Sequence, residues 1–229
     1  MRNALFTLLL LTSNLLLAQN LGNNANVTND YLGLRDNLKN LPADARSETI
    51  KGSPYFENQF IQGMILSQER EPQKALMRYN AIKDQVEIKI DPKEEEVYVL
   101  PRYDTYSFAF PDYTYTLGNY TTEDEVLLGY IAEIADTNDL LFLAKMQGSI
   151  RPGRTAETSY GRNIPPTYLV ERNYYFGYKE DTLEKVKLKN RYFRNFFEEV
   201  PFMLEYLDER RITTEEDVIA MMNFYAQQS

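Results

Sequence analysis

The chain has 229 residues, a formal net charge of −9, and neither cysteine nor histidine, against 18 tyrosines and 12 phenylalanines. Without cysteine this chain can form no disulfide, thiolate nucleophile, thiolate metal site or lipid-modified N-terminal cysteine, and without histidine no Ser-His-Asp triad or ordinary catalytic zinc site. Its acidity opposes nucleic acid phosphates and anionic lipid surfaces, so no nucleic acid partner is expected.

Residues 1–19 begin with a basic Arg2. An apolar run follows over 4–17, broken by Thr7, Thr12, Ser13 and Asn14, and Ala18 supplies a small residue. This reads as a secretory signal cut after Ala18 or Gln19. The run is short of the roughly 20 apolar residues of a spanning helix. The expectation is a periplasmic or secreted protein with no transmembrane anchor after cleavage. Residues 20–50 are rich in Asn, Asp and Lys and read as a polar leader, with Leu32, Leu34, Leu38 and Leu41 spaced for a short amphipathic helix.

The region 51–189 reads as an antiparallel β domain organised around residues 52–100. In 85–90 every second residue is apolar and β-branched, the period of a strand with one wet face. Residues 63–66, 75–79 and 97–100 give three more strands, and the connections are too short for parallel returns. Tyr106, Phe108 and Phe110, then Tyr113 and Tyr115, alternate with small or polar residues. They are either a tyrosine platform for a sugar, peptide or lipid, or cross-strand pairs within the sheet. Residues 126–134 and 140–146 read as a hairpin. A helix over 123–135 capped by Thr122 is the alternative, and Gly129 favours the strand. Residues 149–167 read as a loop carrying Arg151, Arg154 and Arg162, either a clamp for a carboxylate, phosphate or sulfate or a solvated connector. A last hairpin joins 174–178 to 183–188.

Residues 190–229 switch to helical spacing. Phe193, Phe196, Phe197 and Val200 share a face behind a cap at Asn190, and Pro201 ends that helix or opens the next. Thr213 with Glu216, or Thr214 with Asp217, forms a capping box for a last helix. The fold class expected is α+β, a mostly antiparallel sheet (curved sheet, sandwich or half-barrel) followed by C-terminal helices.

Gly52-Ser53-Pro54-Tyr55, Phe60, Gly63, Arg78-Tyr79-Asn80, Asp84 and Glu87 together resemble a group of secreted Bacteroidota proteins of unassigned function. The pattern is a GxPY, an FxxG, then an RYN followed by an acidic pair. The resemblance continues through the tyrosine pair at 174 and 175 to a final helix holding Asn223, Phe224 and Tyr225. It implies export and a related fold, and carries no activity.

The sequence holds no catalytic, cofactor-binding or metal-binding motif. Asp84 and Glu87 are an acid pair, but their spacing on a strand turns them to opposite faces. The acidic runs 94–96 and 136–139 lack the spacing of a dedicated calcium loop. Arg78, Tyr79 and Asn80 are the leading candidates for ligand or partner binding, followed by Arg151, Arg154 and Arg162. Arg78 and Asn80 share a strand face, where they serve a ligand or simply bond the neighbouring strand and turn. The expected function is a non-catalytic cell-envelope protein that binds an envelope protein or small ligand. The alternatives are a carboxylate-based hydrolase of envelope polysaccharide and a half-barrel that holds a lipid.

Overall fold

Alternation builds the first half of the sheet. In β3 (Gln73–Asn80), Ala75, Met77 and Tyr79 are buried while Lys74, Leu76 and Arg78 are more open. The computed structural model describes residues 39–40 and 50–228, apart from 94, 138, 157–160 and 180. All of them belong to one compact unit, Leu38–Ser229. β2 (Ile61–Ser67), β3, β4 (Gln85–Lys89) and β5 (Tyr98–Val99) form an antiparallel meander, and the two-residue β1 (Lys39–Asn40) pairs outside β5. The fourth strand is shorter than residues 97–100 suggest, because Pro101 has no N–H to extend the ladder.

The chain then returns to the other side of β2. β6 (Tyr106–Ala109) pairs there, and β7 (Thr114–Thr121), β8 (Val126–Asp136), β9 (Leu140–Arg151), β10 (Thr167–Tyr178) and β11 (Glu184–Val186) follow in order. The described strands make one open sheet, ordered β1-β5-β4-β3-β2-β6-β7-β8-β9-β10-β11, with every strand pair antiparallel. The expected α+β class is therefore observed. The helical alternative at 123–135 is not: β8 occupies it, and Gly129 sits at φ +94°, which a right-handed helix does not admit.

Two features shape this sheet. It curls, because β3 and β9 stand five places apart in the order, about 24 Å in a flat sheet, yet Asp84 at the end of the β3–β4 turn lies 3.0 Å from Lys145 of β9. It also forks. β8 and β9 pair only where 132–136 meets 141–144, with a register shift between Glu133 and Ala135. Before that point β8 pairs with β7 alone, and after it β9 pairs with β10 alone.

Three helices cover one face of β9–β11: α1 (Asn190–Phe196), α2 (Pro201–Glu209) and α3 (Glu215–Gln228). Phe193, Phe197, Met203, Leu207, Val218 and Met221 bury against Leu140, Phe142, Phe176 and Val186. On the opposite face Leu141, Leu143 and Tyr175 pack with Leu127, Ile131 and Leu183. The start of β9 is thus covered on both sides, which accounts for its unbroken apolar run. Each fully buried side chain of this kind contributes about 1.5–3 kcal/mol.

The helix boundaries correct one expectation. Asn190 is the first helical residue rather than the cap; Lys189 holds the cap position with no side-chain bond. The Asn190 amide instead donates to the carbonyls of Leu207 (2.7 Å) and Arg210 (2.6 Å) and accepts from the Ile212 N–H (2.7 Å). It pins the C-terminal end of α2, whose carbonyls have no intrahelical partner. Pro201 opens α2 at its first turn. Of the two capping-box options, Thr214 with Asp217 forms: Thr214 Oγ1 accepts the Asp217 N–H at 3.3 Å, and Asp217 Oδ2 accepts the Thr214 N–H at 2.9 Å.

Strand pairing also runs further into 149–167 than a loop reading allows. β9 continues to Arg151, β10 starts at Thr167, and Arg154 pairs with Ile164 through two bonds of 2.8 Å. The expected signal segment and most of the polar leader lie outside the described residues. Among those described, no helix is long and apolar enough to cross a membrane.

Candidate functional site

The β3–β4 hairpin carries two polar clusters, one on each face. Arg78 and Glu87 are cross-strand partners. Arg78 Nε and Nη2 donate to Glu87 Oε2 at 2.8 and 2.7 Å. The Tyr55 hydroxyl lies 3.0 Å from both carboxylate oxygens, and Asn80 Nδ2 donates to Oε1 at 3.1 Å. Arg78 Nη2 also reaches the Tyr55 hydroxyl at 2.7 Å. Its guanidinium lies 3.7 Å from the Tyr55 ring centre and 4.4 Å from that of Phe60, a cation–π arrangement. Glu87 is only 3% exposed. A carboxylate so buried is costly unless paired, and here it is paired and hydrogen-bonded by three side chains. Asn80 adds the turn, accepting the N–H groups of Ile82 (3.2 Å) and Lys83 (3.0 Å). The GxPY tyrosine, Phe60, Arg78, Asn80 and Glu87, spread over more than thirty positions of the sequence pattern, thus meet in one cluster.

Tyr79 points the other way. Its ring stacks on Tyr115 with centres 4.4 Å apart, and its hydroxyl donates to Asp84 Oδ1. Burial, then the Asp84 charge, holds the phenol far above its ordinary range, so it stays a neutral donor. Asp84 sits at φ +49°, the left-handed region that Asp tolerates better than most residues. Its carboxylate accepts from Lys145 Nζ (3.0 Å), Arg102 Nη2 (2.9 Å) and the Tyr130 N–H (3.3 Å), while Lys145 also donates to the Tyr130 carbonyl (2.9 Å).

This second cluster lies at the fork. Tyr130 is on the part of β8 that has left β9, so its backbone groups lack a ladder partner on that side. Asp84 takes its N–H and Lys145 takes its C=O. Two side chains therefore replace a missing rung, and the β3–β4 turn is the wedge that places one of them. Two glycines make room. A Cβ at Gly129 would lie 2.0 Å from Asp84 Oδ2, and one at Gly148 2.6 Å from the Ala81 carbonyl carbon. Asp84 and Glu87 hence belong to separate clusters on opposite faces, each carboxylate held by several internal donors. That arrangement fastens a sheet and does not present two acids to one substrate.

A third cluster was not legible in the sequence. Arg172 of β10 pairs with Glu215 of α3 at 2.9 Å, and the Tyr174 hydroxyl donates to the same carboxylate at 2.7 Å. Burial first, then that hydrogen bond, pushes the Tyr174 phenol up to about 12. The rings of Phe56, Tyr113 and Tyr174 surround the guanidinium at 5.2–5.6 Å. Next to it a cleft of about 410 Å³ opens, lined by Arg172, Asn173 and Tyr174 of β10, the segment 185–188, Tyr192 and Asp124. Lys185 and Lys187 bring positive charge to its rim. Their alternation with Val186 marks a strand, but nothing local shows that this strand stops after Val186 and leaves a gap.

Arg78, Tyr79 and Asn80 are thus built into the sheet, and Arg78 and Asn80 share one cluster. Arg151 ends β9, and Arg154 and Arg162 stand on the β9–β10 connection; all three are exposed and have no ion pair among the described residues. The structure brings them to no partner shared with the hairpin clusters. Among the described residues no group of three or more acidic side chains is placed to hold a metal ion. No known family model, curated protein or solved structure matches the chain.

Proposed function

We propose that the protein is an exported, non-catalytic binding module of the cell envelope, and that its ligand sits in the cleft beyond the end of β11. One observation carries the choice of seat. In a chain of net charge −9, Lys185 and Lys187 stand together at one concave place against a single lining acid, Asp124, while Arg172, which also lines it, is already paired with Glu215. A concave site with a few convergent polar groups is the ordinary form of a ligand site. Support for binding rather than chemistry comes from the hairpin clusters, whose carboxylates are engaged in holding the fold. Support for export comes from Arg2, the apolar run 4–17 and Ala18.

A thermal-shift screen of the full chain against carboxylates, sugar phosphates and acidic peptides tests the binding claim. A ligand at 100 times its Kd stabilises by about 2.7 kcal/mol, a rise of about 5–10 °C for a chain of this size. The doubly substituted Lys185→Glu/Lys187→Glu chain, altered only at exposed positions, should lose that rise. An equal rise in both proteins would move the site elsewhere. Fractionation of the native protein to the cytoplasm would overturn the export claim.

A further inference from the structure

We infer that the cleft receives an acidic peptide in extended form, which adds as a strand to the uncovered edge of β10; this rests on the cleft being the ligand seat. The backbone register carries the inference. β10 pairs with β9 without a break from Thr167 to Tyr178. On its other side, β11 covers only 174–176, and Lys51 bridges only at Thr167. Tyr168 donates its N–H to the Lys51 carbonyl at 2.9 Å, and Pro166 accepts the Lys51 N–H at 2.8 Å. Even-numbered residues therefore turn their N–H and C=O groups towards this outer edge. Alternation then aims those of Val170 and Arg172 there too. Among the described residues, no strand pairs with them.

The cleft lies on that edge rather than on a face of the sheet. Successive strand side chains point to opposite faces, yet Arg172, Asn173 and Tyr174 all line it. Between the Lys51 bridge and the β11 pairing, β10 has five residues, 169–173, about 17 Å of strand. Natural sheets blunt open edges with lysines or cover them, because the unpaired groups are a template for another strand. Here the lysines lie past the gap. Lys185 is on β11 itself and Lys187 follows it, while Lys51 stands at the other end. An incoming peptide gains main-chain bonds from Val170 and Arg172 and charge pairing from those lysines, so acidic side chains on it are favoured.

The probe is a blocked seven-residue peptide alternating glutamate and valine, titrated against the full chain. Controls are the same peptide N-methylated at alternate amides, and its lysine–valine counterpart. The acidic peptide should bind and slow hydrogen exchange at the Val170 and Arg172 amides. Its Kd should rise at least tenfold on N-methylation, at least tenfold in Lys185→Glu/Lys187→Glu, and at least tenfold for the basic peptide. Binding that survives N-methylation, or leaves the two amides exchanging freely, would overturn strand addition and leave a charge-based cleft site standing. Concentration-dependent self-association that protects the same amides without peptide would assign the edge to a second copy and overturn the proposal. If neither the peptide nor any compound of the thermal-shift screen binds, the cleft is no ligand seat, and both readings fall.

Discussion

Asp84 is the residue whose replacement tests the wedge most directly. In Asp84→Ala the buried Tyr130 N–H and the Tyr79 hydroxyl both lose their acceptor, which costs about 1–3 kcal/mol each. Lys145, 17% exposed, keeps the Tyr130 carbonyl and some water, so its lost partner adds only about 1 kcal/mol. Arg102 is 47% exposed and its pair contributes about 0–1 kcal/mol. Alanine at φ +49° adds about 1 kcal/mol of backbone strain. The expected loss is about 4–9 kcal/mol by urea unfolding. Asp84→Gly removes the same contacts without that strain and should be milder by about 1 kcal/mol. Asp84→Asn keeps an acceptor for Tyr130 and tolerates the backbone, so about 1–2 kcal/mol is expected. Hydrogen exchange should quicken at Tyr130 and its β8 neighbours before the helices respond. A double-mutant cycle of Asp84→Ala with Lys145→Met should give a coupling of about 1–2 kcal/mol. A loss below about 1 kcal/mol for Asp84→Ala, with the Tyr130 amide unaffected, would show that the fork holds without its wedge.

Glu87→Gln should cost about 2–4 kcal/mol, because Arg78 keeps its charge at a mostly buried site without a counter-ion; Arg78→Lys should also destabilise, by about 1–3 kcal/mol, since an ammonium cannot reproduce the two bonds to Glu87 and the stacking on Tyr55. If urea midpoints hardly move in either variant, the cluster is ornamental to the fold. Alkali should unfold the protein. Tyr79, Tyr115, Tyr130 and Tyr175 all have folded-state pKa values raised chiefly by burial. Above pH about 10 the unfolded chain releases these protons and the folded one keeps them, so stability is complete below that pH and falls by about 1.4 kcal/mol per pH unit for each such phenol as pH rises. Absorbance at 295 nm should then show a cooperative step coincident with loss of circular dichroism, and a smooth titration with the fold intact would contradict it. Thr214→Ala should cost about 1 kcal/mol and fray the first turn of α3, read as faster exchange there with β9 unaffected. Unchanged exchange in that turn would show that Thr214 is not its cap.

Local rhythm made much of the scaffold readable. The two-residue period of 75–79 and 85–90 predicts β3 and β4, the aromatic alternation predicts β6 and β7, and the switch at Phe193 predicts the helices. These signals are local, since a strand with one wet face must alternate whatever its neighbours are. Asp84 and Glu87 do face opposite ways, though not by strand spacing, since Asp84 lies in the turn before β4 at φ +49°. The cap at Asn190 misled because the same amide chemistry serves the end of another helix seventeen residues on.

What the tertiary structure alone decided is who meets whom. Asp84 finds Lys145 across 61 positions, and Arg172 finds Glu215 across 43. Neither pair follows from alternation, which says that a strand has two faces and not which edge it joins. The return of β6 to the far side of β2, the fork between β8 and β9, and the early end of β11 settle those edges. Each is set by how the closed chain packs both faces at once. The candidate cleft exists only because a three-residue strand covers part of a twelve-residue one.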